Sequence, residues 1–366
     1  MRVQTEEIIN QLKNIKLPGM KRDIVAAKML EGVEVAGDKL TVNLSIPTHS
    51  PLIKKQLEEE IGKALQKFQI GSINVDSKSS IPYGKGAEGK QSVPGVRNII
   101  AVSSGKGGVG KSTVAVNLAV QLAQWGAKVG LLDTDVYGPN VPIMMGIAGE
   151  PQVKGEKLLP LENYGVKVMS IGFLNPGDRP VVWRGPMLHT AVRQFLYDVL
   201  WGELDYLIVD MPPGTGDAQL SLAQLVPVQG AVLVTTPQEV AMADVRKALN
   251  MFEQVHIPVL GIVENMSYFV CTNCSQPHYI FGSGGGAELA QRFQTQLLGR
   301  LPLATNVREG GDAGIPIIIS DSAGLQGQAF AEIAGRISIE IAQGAMQSPG
   351  LPVINLGDNR GDSFAV

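Results

Sequence analysis

Apolar positions in this 366-residue chain follow three regimes in turn. In the first 76 residues the periods mix. Leu57, Ile61, Leu65 and Phe68 recur at helical spacing and leave Lys54, Lys55, Glu58 and Glu59 for solvent. Ser50-Pro51 ahead of them predicts the helix start, a hydroxyl cap followed by proline at the first helical position. A polar amphipathic helix is predicted at Thr5 to Lys13. A hairpin follows, with strands near Val33–Val35 and Leu40–Ile46 around the turn Ala36-Gly37-Asp38, and a short strand at Ser72–Val75 closes a small α/β unit over 1–76. Residues 77–95 are rich in glycine, serine and lysine and nearly lack apolar residues, which predicts a flexible linker.

From 96 to 343 the pattern changes again. Short, almost continuous apolar runs at Ile99–Ser103, Val129–Asp133, Val166–Ile171, Tyr206–Asp210, Ala231–Thr235, Leu260–Asn265 and Ile315–Ile319 read as buried strands. Helical patterns, such as Met187–Trp201 and Ala241–Gln254, separate most of them. That alternation predicts an α/β fold, a mostly parallel sheet with helices on both faces. Ligands in such sheets bind at the carboxyl ends of the strands. Residues 344–366 are rich in proline, glycine, asparagine and aspartate from Ser348 onward and are expected to be disordered.

The chemistry falls at those strand ends. After the first run come Gly105, Lys106, Gly107, Gly108, Val109, Gly110, Lys111, Ser112 and Thr113, which fit the phosphate-loop pattern G-x-x-x-x-G-K-[ST] between a strand and a helix. Glycines there let backbone N–H groups converge on an anion, and the helix that follows points its positive end at the same place. Lys111 is expected to reach the β- and γ-phosphates of a nucleoside triphosphate, and the Ser112 hydroxyl to bind Mg²⁺. A second lysine, Lys106, directly follows the first glycine.

Asp133 and Asp135 close the second run and Asp210 another, in the apolar-run-then-aspartate form of a Walker B. Asp210 is expected to hold Mg²⁺ directly or through its water. Asp135 is the candidate for orienting the attacking water, with Asp217 behind it. The Pro212-Pro213-Gly214 that follows suits a switch loop sensing the γ-phosphate. Asn265 is placed to read a base through its amide. Acidic residues at strand ends also cap helices, but three at one edge beside a phosphate loop favour the functional reading.

Composition narrows the setting. A net charge of −3 gives no sign of a general nucleic-acid or anionic-membrane binder. No apolar run approaches the roughly 18 residues of a membrane span, and the first ten residues lack the apolar core of a signal peptide, so a cytoplasmic protein is expected. The chain has two cysteines, Cys271 and Cys274, at C-x-x-C spacing beyond the Asn265 strand. Such a pair can bind soft metal, form a redox disulfide or contribute to an iron–sulfur site. Zinc or a [4Fe–4S] cluster wants about four ligands, which two copies in a C₂ dimer would supply. His278 is a weak further candidate, since a single histidine in such a loop is more often polar surface.

Taken in order, Gly-Lys-Gly-Gly-Val-Gly-Lys-Ser from Gly105, Asp133-Thr-Asp-Val-Tyr-Gly-Pro139, Asp210-Met-Pro-Pro-Gly-Thr-Gly-Asp217 and Glu264-Asn-Met-Ser-Tyr-Phe-Val-Cys-Thr-Asn-Cys274 resemble the Mrp/ApbC (Nbp-type) iron–sulfur cluster carriers. These are deviant-Walker-A P-loop ATPases of the MinD/ParA class. The resemblance covers about 96–343. It implies a homodimer in which Lys106 reaches the partner's nucleotide and Cys271 and Cys274 bridge a [4Fe–4S] cluster between subunits. It also implies slow ATP hydrolysis that gates cluster handling, with iron–sulfur apoproteins and cluster-assembly proteins as partners; the low net charge gives neither nucleic acid nor membrane as an expected partner. Residues 1–76 resemble, more weakly, the small domain found ahead of such ATPases and in iron–sulfur assembly factors. Where many of those carry Cys-Pro this chain has Ser50-Pro51, and Leu17-Pro-Gly-Met-Lys-Arg-Asp23 replaces the usual Asp-Pro-Glu-like segment, which rules out a thiol role there and leaves a docking role open. The alternative is a MinD/ParA-like positioning ATPase with a structural zinc at the C-x-x-C. The segment Asn355 to Val366 lacks the basic amphipathic face that MinD-like membrane attachment uses.

Overall fold

The computed structural model describes residues 5–68, 70–86, 89–136, 138–174 and 185–346. Its first unit comprises α1 (Thr5–Leu12), β1 (Leu30–Ala36), β2 (Lys39–Ile46), α2 (Pro51–Leu65) and β3 (Ser72–Ser79). β1 and β2 pair antiparallel as the hairpin pattern predicted, and β3 lies parallel to β2. Ser50 caps α2 by accepting the Ile53 N–H, with Pro51 at the first helical position. Ile8, Leu12, Leu40, Val42, Leu57 and Ile61 form the core of this unit.

The second unit follows as β4 (Ile99–Ser104), α3 (Lys111–Gln124), β5 (Val129–Asp133), α4 (Val141–Met144), a small hairpin of β6 (Val153–Lys154) and β7 (Lys157–Leu158), β8 (Leu161–Asn163), β9 (Val166–Ser170) and α5 (Gly185–Tyr197). It continues through β10 (Tyr206–Asp210), α6 (Asp217–Leu225), β11 (Gly230–Thr235), α7 (Glu239–Gln254), β12 (Val259–Glu264), the short pair β13 (Phe269–Val270) and β14 (Pro277–His278), α8 (Gly285–Arg292), β15 (Leu297–Arg300), α9 (Thr305–Ala313), α10 (Ile317–Ser320) and α11 (Leu325–Met346). Eight strands form one sheet in the order β15-β12-β11-β4-β10-β5-β9-β8. All neighbours run parallel except the edge strand β8. Every residue of β4, β5, β10 and β11 is buried, as expected of strands covered on both faces.

Two expectations fail here. Ile315–Ile319 is not a strand. Gly314 ends α9 in the left-handed conformation (φ 73°), Pro316 resets the chain, and Ile317 and Ile318 are buried in the helical turn α10. A short buried apolar run satisfies strand and helix equally, so periodicity alone could not separate them. The sheet's other edge, opposite β8, is β15, paired with β12.

Residues 77–95, read as a flexible linker, are held at several points: Ser77–Ser79 continue β3 beside β2, and parts of the segment beyond them contact the large unit. Ile81 and Val93 are buried in its core. Gly84 N–H donates to Arg97 O (2.9 Å), Arg97 Nη1 to Ile81 O (2.7 Å) and Asn98 Nδ2 to Pro82 O (3.0 Å). Backbone groups partnered in this way explain how a polar, glycine-rich segment can be held. The two units also share α11. Ile339 belongs to the first unit's core, a buried hydrogen bond joins Thr48 and Ser338 (2.8 Å), and Gln343 Nε2 donates to Gly19 O (2.8 Å). The tail expected to be disordered lies, from 347 on, outside the described residues.

Candidate functional site: a phosphate loop, an acidic edge and a cysteine hairpin

The loop between β4 and α3 needs its glycines for distinct reasons. Gly108 and Gly110 sit at φ 78° and 83°, a conformation that side chains disfavour. At Gly105 a Cβ would strike the backbone of Asp244 and Val245 in α7. Gly110 caps α3 with no side-chain hydrogen bond, so the first N–H groups of the helix are left for an anion. The loop borders a cleft of about 510 Å³ that Lys106, Lys111, Ser112, Thr113 and Asp135 also line.

Lys111 is the hinge of the electrostatics. Only 6% exposed, its ammonium lies 2.6 Å from Asp210 Oδ1, 3.2 Å from Ser112 Oγ and 3.5 Å from Asp135 Oδ2. Parallel pairing of β10 with β5 sets Asp210 beside Asp133. Burial pushes the Asp210 carboxyl above the usual range, while Lys111 pulls it back down. Its second oxygen, Oδ2, is buried with no hydrogen-bond partner among the described residues. A hard oxygen orphaned beside the Ser112 hydroxyl is the donor set that suits Mg²⁺, so Asp210 and Ser112 fit that ion.

Asp133 does different work from that of its neighbours. It accepts the Asp135 N–H on Oδ1 (3.0 Å) and the Ser170 hydroxyl on Oδ2 (2.9 Å), so it fixes where Asp135 sits. Burial, reinforced by the Asp210 charge, pushes its carboxyl up to about 8. A raised native value means that the folded state holds the proton more tightly, so stability falls as pH rises from about 4 to about 8. Asp133→Asn keeps an acceptor for Asp135 and a partner for Ser170 while removing the ionisation. In nucleotide-free protein kept in chelator, its stability advantage over wild type is expected to grow steadily from pH 5 to pH 8. Equal urea midpoints at both pH values would show that Asp133 is ionised throughout.

The cysteines sit on the β13–β14 pair, between β12 and α8. Cys271 N–H donates to Gln276 O (3.0 Å) and Ser275 N–H to Cys271 O (2.8 Å), with Ser275 left-handed at φ 57°. Cys274 is exposed and Cys271 partly so, and both are free thiols. Peptide N–H groups of Cys274 and Asn273, together with the Cys274 side chain, hold the Cys271 thiol below its ordinary value. The hairpin therefore presents two free sulfurs in the open.

These features match known proteins along nearly the whole chain. Residues 95–338 match the family described as the NUBPL iron-transfer P-loop NTPase, and residues 5–75 match the iron–sulfur cluster assembly protein family. The chain belongs to the NUBPL iron-transfer P-loop NTPase family. A Synechocystis relative named iron–sulfur cluster carrier protein is 46% identical over 93% of this chain and 99% of its own. Among solved structures, a nucleotide-binding protein from Archaeoglobus fulgidus, in complex with ADP and with cobalt found, is 45% identical over 61% of this chain and 88% of its own, at a TM-score of 0.55. The Pyrococcus furiosus cell division ATPase MinD shares the fold at 23% identity and a TM-score of 0.50, over 66% of this chain and 98% of its own. No helix among the described residues is long and apolar enough to cross a membrane.

Some residues at the site make contacts that their sequence context did not reveal. Asn265, expected to read a base, spends its amide on the phosphate loop, donating to Val109 O at 2.8 Å. Its neighbour Glu264 is fully buried and accepts from Ser267 Oγ (2.5 Å) and Gly286 N–H (2.6 Å). The end of β12 therefore grips the phosphate loop and both roots of the cysteine hairpin. Gln219 braces the Pro212–Gly214 loop by donating to Pro212 O (2.8 Å) and Gly214 O (3.0 Å), and Gly214 N–H donates to Ser104 O (2.8 Å). The far wall of the cleft comes from Leu301, Pro302, Leu303 and Arg308, which no motif flagged. Their only advance signal is their position just past a strand end, and that strand went unread. Lys106 lines the cleft half-buried, with no ion pair among the described residues. The Asp217 side chain lies outside the described residues.

Proposed function

We propose that this chain is an iron–sulfur cluster carrier that binds ATP with Mg²⁺, hydrolyses it slowly and works as a homodimer. The cysteine hairpin carries this reading: Cys271 and Cys274 present two free, accessible sulfurs from a loop rooted on the strand that grips the phosphate loop. The carrier names of its relatives and the family match support it. The ADP-bound relative supports a nucleotide in the same fold. In this reading Gly105–Thr113 cradle the phosphates, Lys111 neutralises them, and Ser112 and Asp210 hold Mg²⁺. That ion would draw charge from the departing phosphoryl oxygens. Asp135, fixed by Asp133, orients the attacking water, and Lys106 acts on the partner subunit's nucleotide. Two cysteine pairs facing each other hold one [4Fe–4S] cluster as cargo for apoproteins, in the cytoplasm. The first unit, with Ser50 buried, serves to dock rather than to carry a thiol.

The phosphate state reaches the cargo through β12. Movement of the phosphate loop is felt at Asn265, and Glu264, one residue earlier, holds Ser267 and Gly286 on either side of the hairpin. Anaerobic reconstitution with iron and sulfide tests the reading. About two irons and two sulfides per chain are expected, one Cys₄ cluster per dimer. Both should be lost in Cys271→Ala/Cys274→Ala while nucleotide binding persists. One zinc per two chains and no cluster would make the cysteines structural and favour a positioning ATPase.

A further inference from the structure

His278 belongs with the cysteines. β13 and β14 run antiparallel with Phe269 opposite His278 and Val270 opposite Pro277. Side chains alternate along a strand, so Cys271, two residues past Phe269, projects on the same face as His278. The turn closed by Ser275 N–H on Cys271 O folds Cys274 back toward that face. One ligand atom each from Cys271, Cys274 and His278 then lies within 4.8 Å of the other two. Ligands around one tetrahedral ion, with bonds of about 2.0–2.3 Å, stand roughly 3.4–3.8 Å apart. A small closing of exposed side chains spans that difference. Tyr268 and Tyr279, next in register, pack their rings 6.4 Å apart and pin the base of the hairpin.

We propose that Cys271, Cys274 and His278 of a single chain form a three-ligand site for one thiophilic divalent cation, such as Zn²⁺ or Fe²⁺, with the fourth position open. The proposal rests on the carrier reading for its biological sense, but its geometry needs no partner subunit. Two thiolates and one imidazole suit such ions, whereas magnesium and calcium want oxygen. Binding deprotonates any thiol still protonated and releases those protons to solvent. Three protein ligands with an open position mark a site that an incoming ligand can reach, unlike the closed four-ligand sites that staple folds. A carrier needs such an opening, because a metal enclosed on all sides cannot be passed on. Each half of the dimer would then hold metal before the halves meet.

Cobalt(II) titration of the reduced, nucleotide-free full chain under anaerobic conditions tests this, read by thiolate-to-cobalt and tetrahedral d–d absorption. Saturation at one Co²⁺ per chain is expected, whether sedimentation shows one chain or two in the particle. His278→Ala should weaken binding at least about tenfold, since even changes behind a ligand cost on the order of 10–100-fold. Nucleotide affinity measured on the same samples reports that the variant is folded. Saturation at one Co²⁺ per two chains, or a His278→Ala chain with wild-type affinity and spectrum, overturns the proposal. The two readings fail separately. His278→Ala should still assemble a cluster on its cysteines. Loss of clusters from wild type with the cobalt site intact would sink the carrier reading alone.

Discussion

Lys106→Ala is expected to lower ATP turnover by roughly 10³-fold or more, the scale on which a cation supplied in trans acts in phosphoryl transfer. Nucleotide affinity should hardly change. The reason lies in how differently the two loop lysines are placed. Lys111 is buried and engaged by Asp210, Asp135 and Ser112 of its own chain. Lys106 is half-buried at the cleft with no ion pair among the described residues, so its charge is available to a second subunit. If it acts across a dimer, specific activity in the wild type should rise with protein concentration. That rise should be absent in Lys106→Ala. Turnover measured at saturating ATP, beside equilibrium nucleotide binding, decides the matter. Unchanged turnover would remove the trans role, and a matching loss of affinity would make Lys106 an ordinary phosphate ligand of its own chain.

The distance between what the sequence shows and what the fold adds follows from how local each feature is. The phosphate loop needs only its own glycines, one strand and one helix, so its pattern sits in nine consecutive residues. The places of Asp133 and Asp210 at strand ends were readable because burial on both faces makes the rest of their strands apolar. Partners chosen by tertiary packing were not readable. Nothing near Asn265 says that its amide goes to Val109, because that contact joins two loops, 156 residues apart in the chain, at the ends of strands of one sheet. The same holds for Glu264 with Gly286, and for Ile81 and Val93 sinking into a core that starts after them. His278 is the intermediate case. Its place in C-x-x-C-x-x-x-H is visible, but only the strand register turns a nearby histidine into one on the cysteine face. Ile317 and Ile318 mark the opposite limit, where burial was right and shape was wrong.

Lys111→Met should be the most damaging single change at the nucleotide site, and by two routes. The first is loss of phosphate binding. The second is stability, because the methionine stem fills the space yet leaves Asp210, with 0% of its surface exposed, without its cation. Removing one partner of a buried ion pair costs on the order of 3–5 kcal/mol, most of it the desolvation of the survivor. Burial already raises the Asp210 carboxyl, and Lys111 is the largest influence opposing that rise. Without the lysine the folded state binds the proton more tightly, so the penalty should be greatest at high pH and shrink as pH falls. The double variant Lys111→Met/Asp210→Asn separates the routes. Urea unfolding should show most of the lost stability restored, since no buried carboxylate remains unpaired at that position, whereas nucleotide binding stays lost. If the double variant is no more stable than Lys111→Met, the Lys111–Asp210 pair is not what the mutation broke. A buried cation of this kind is poor evidence of selection for stability, since well-packed apolar residues do as well. Its retention makes sense where the charge is needed for an anion, and here the free helix N-terminus at Gly110 and the loop N–H groups converge on the same place.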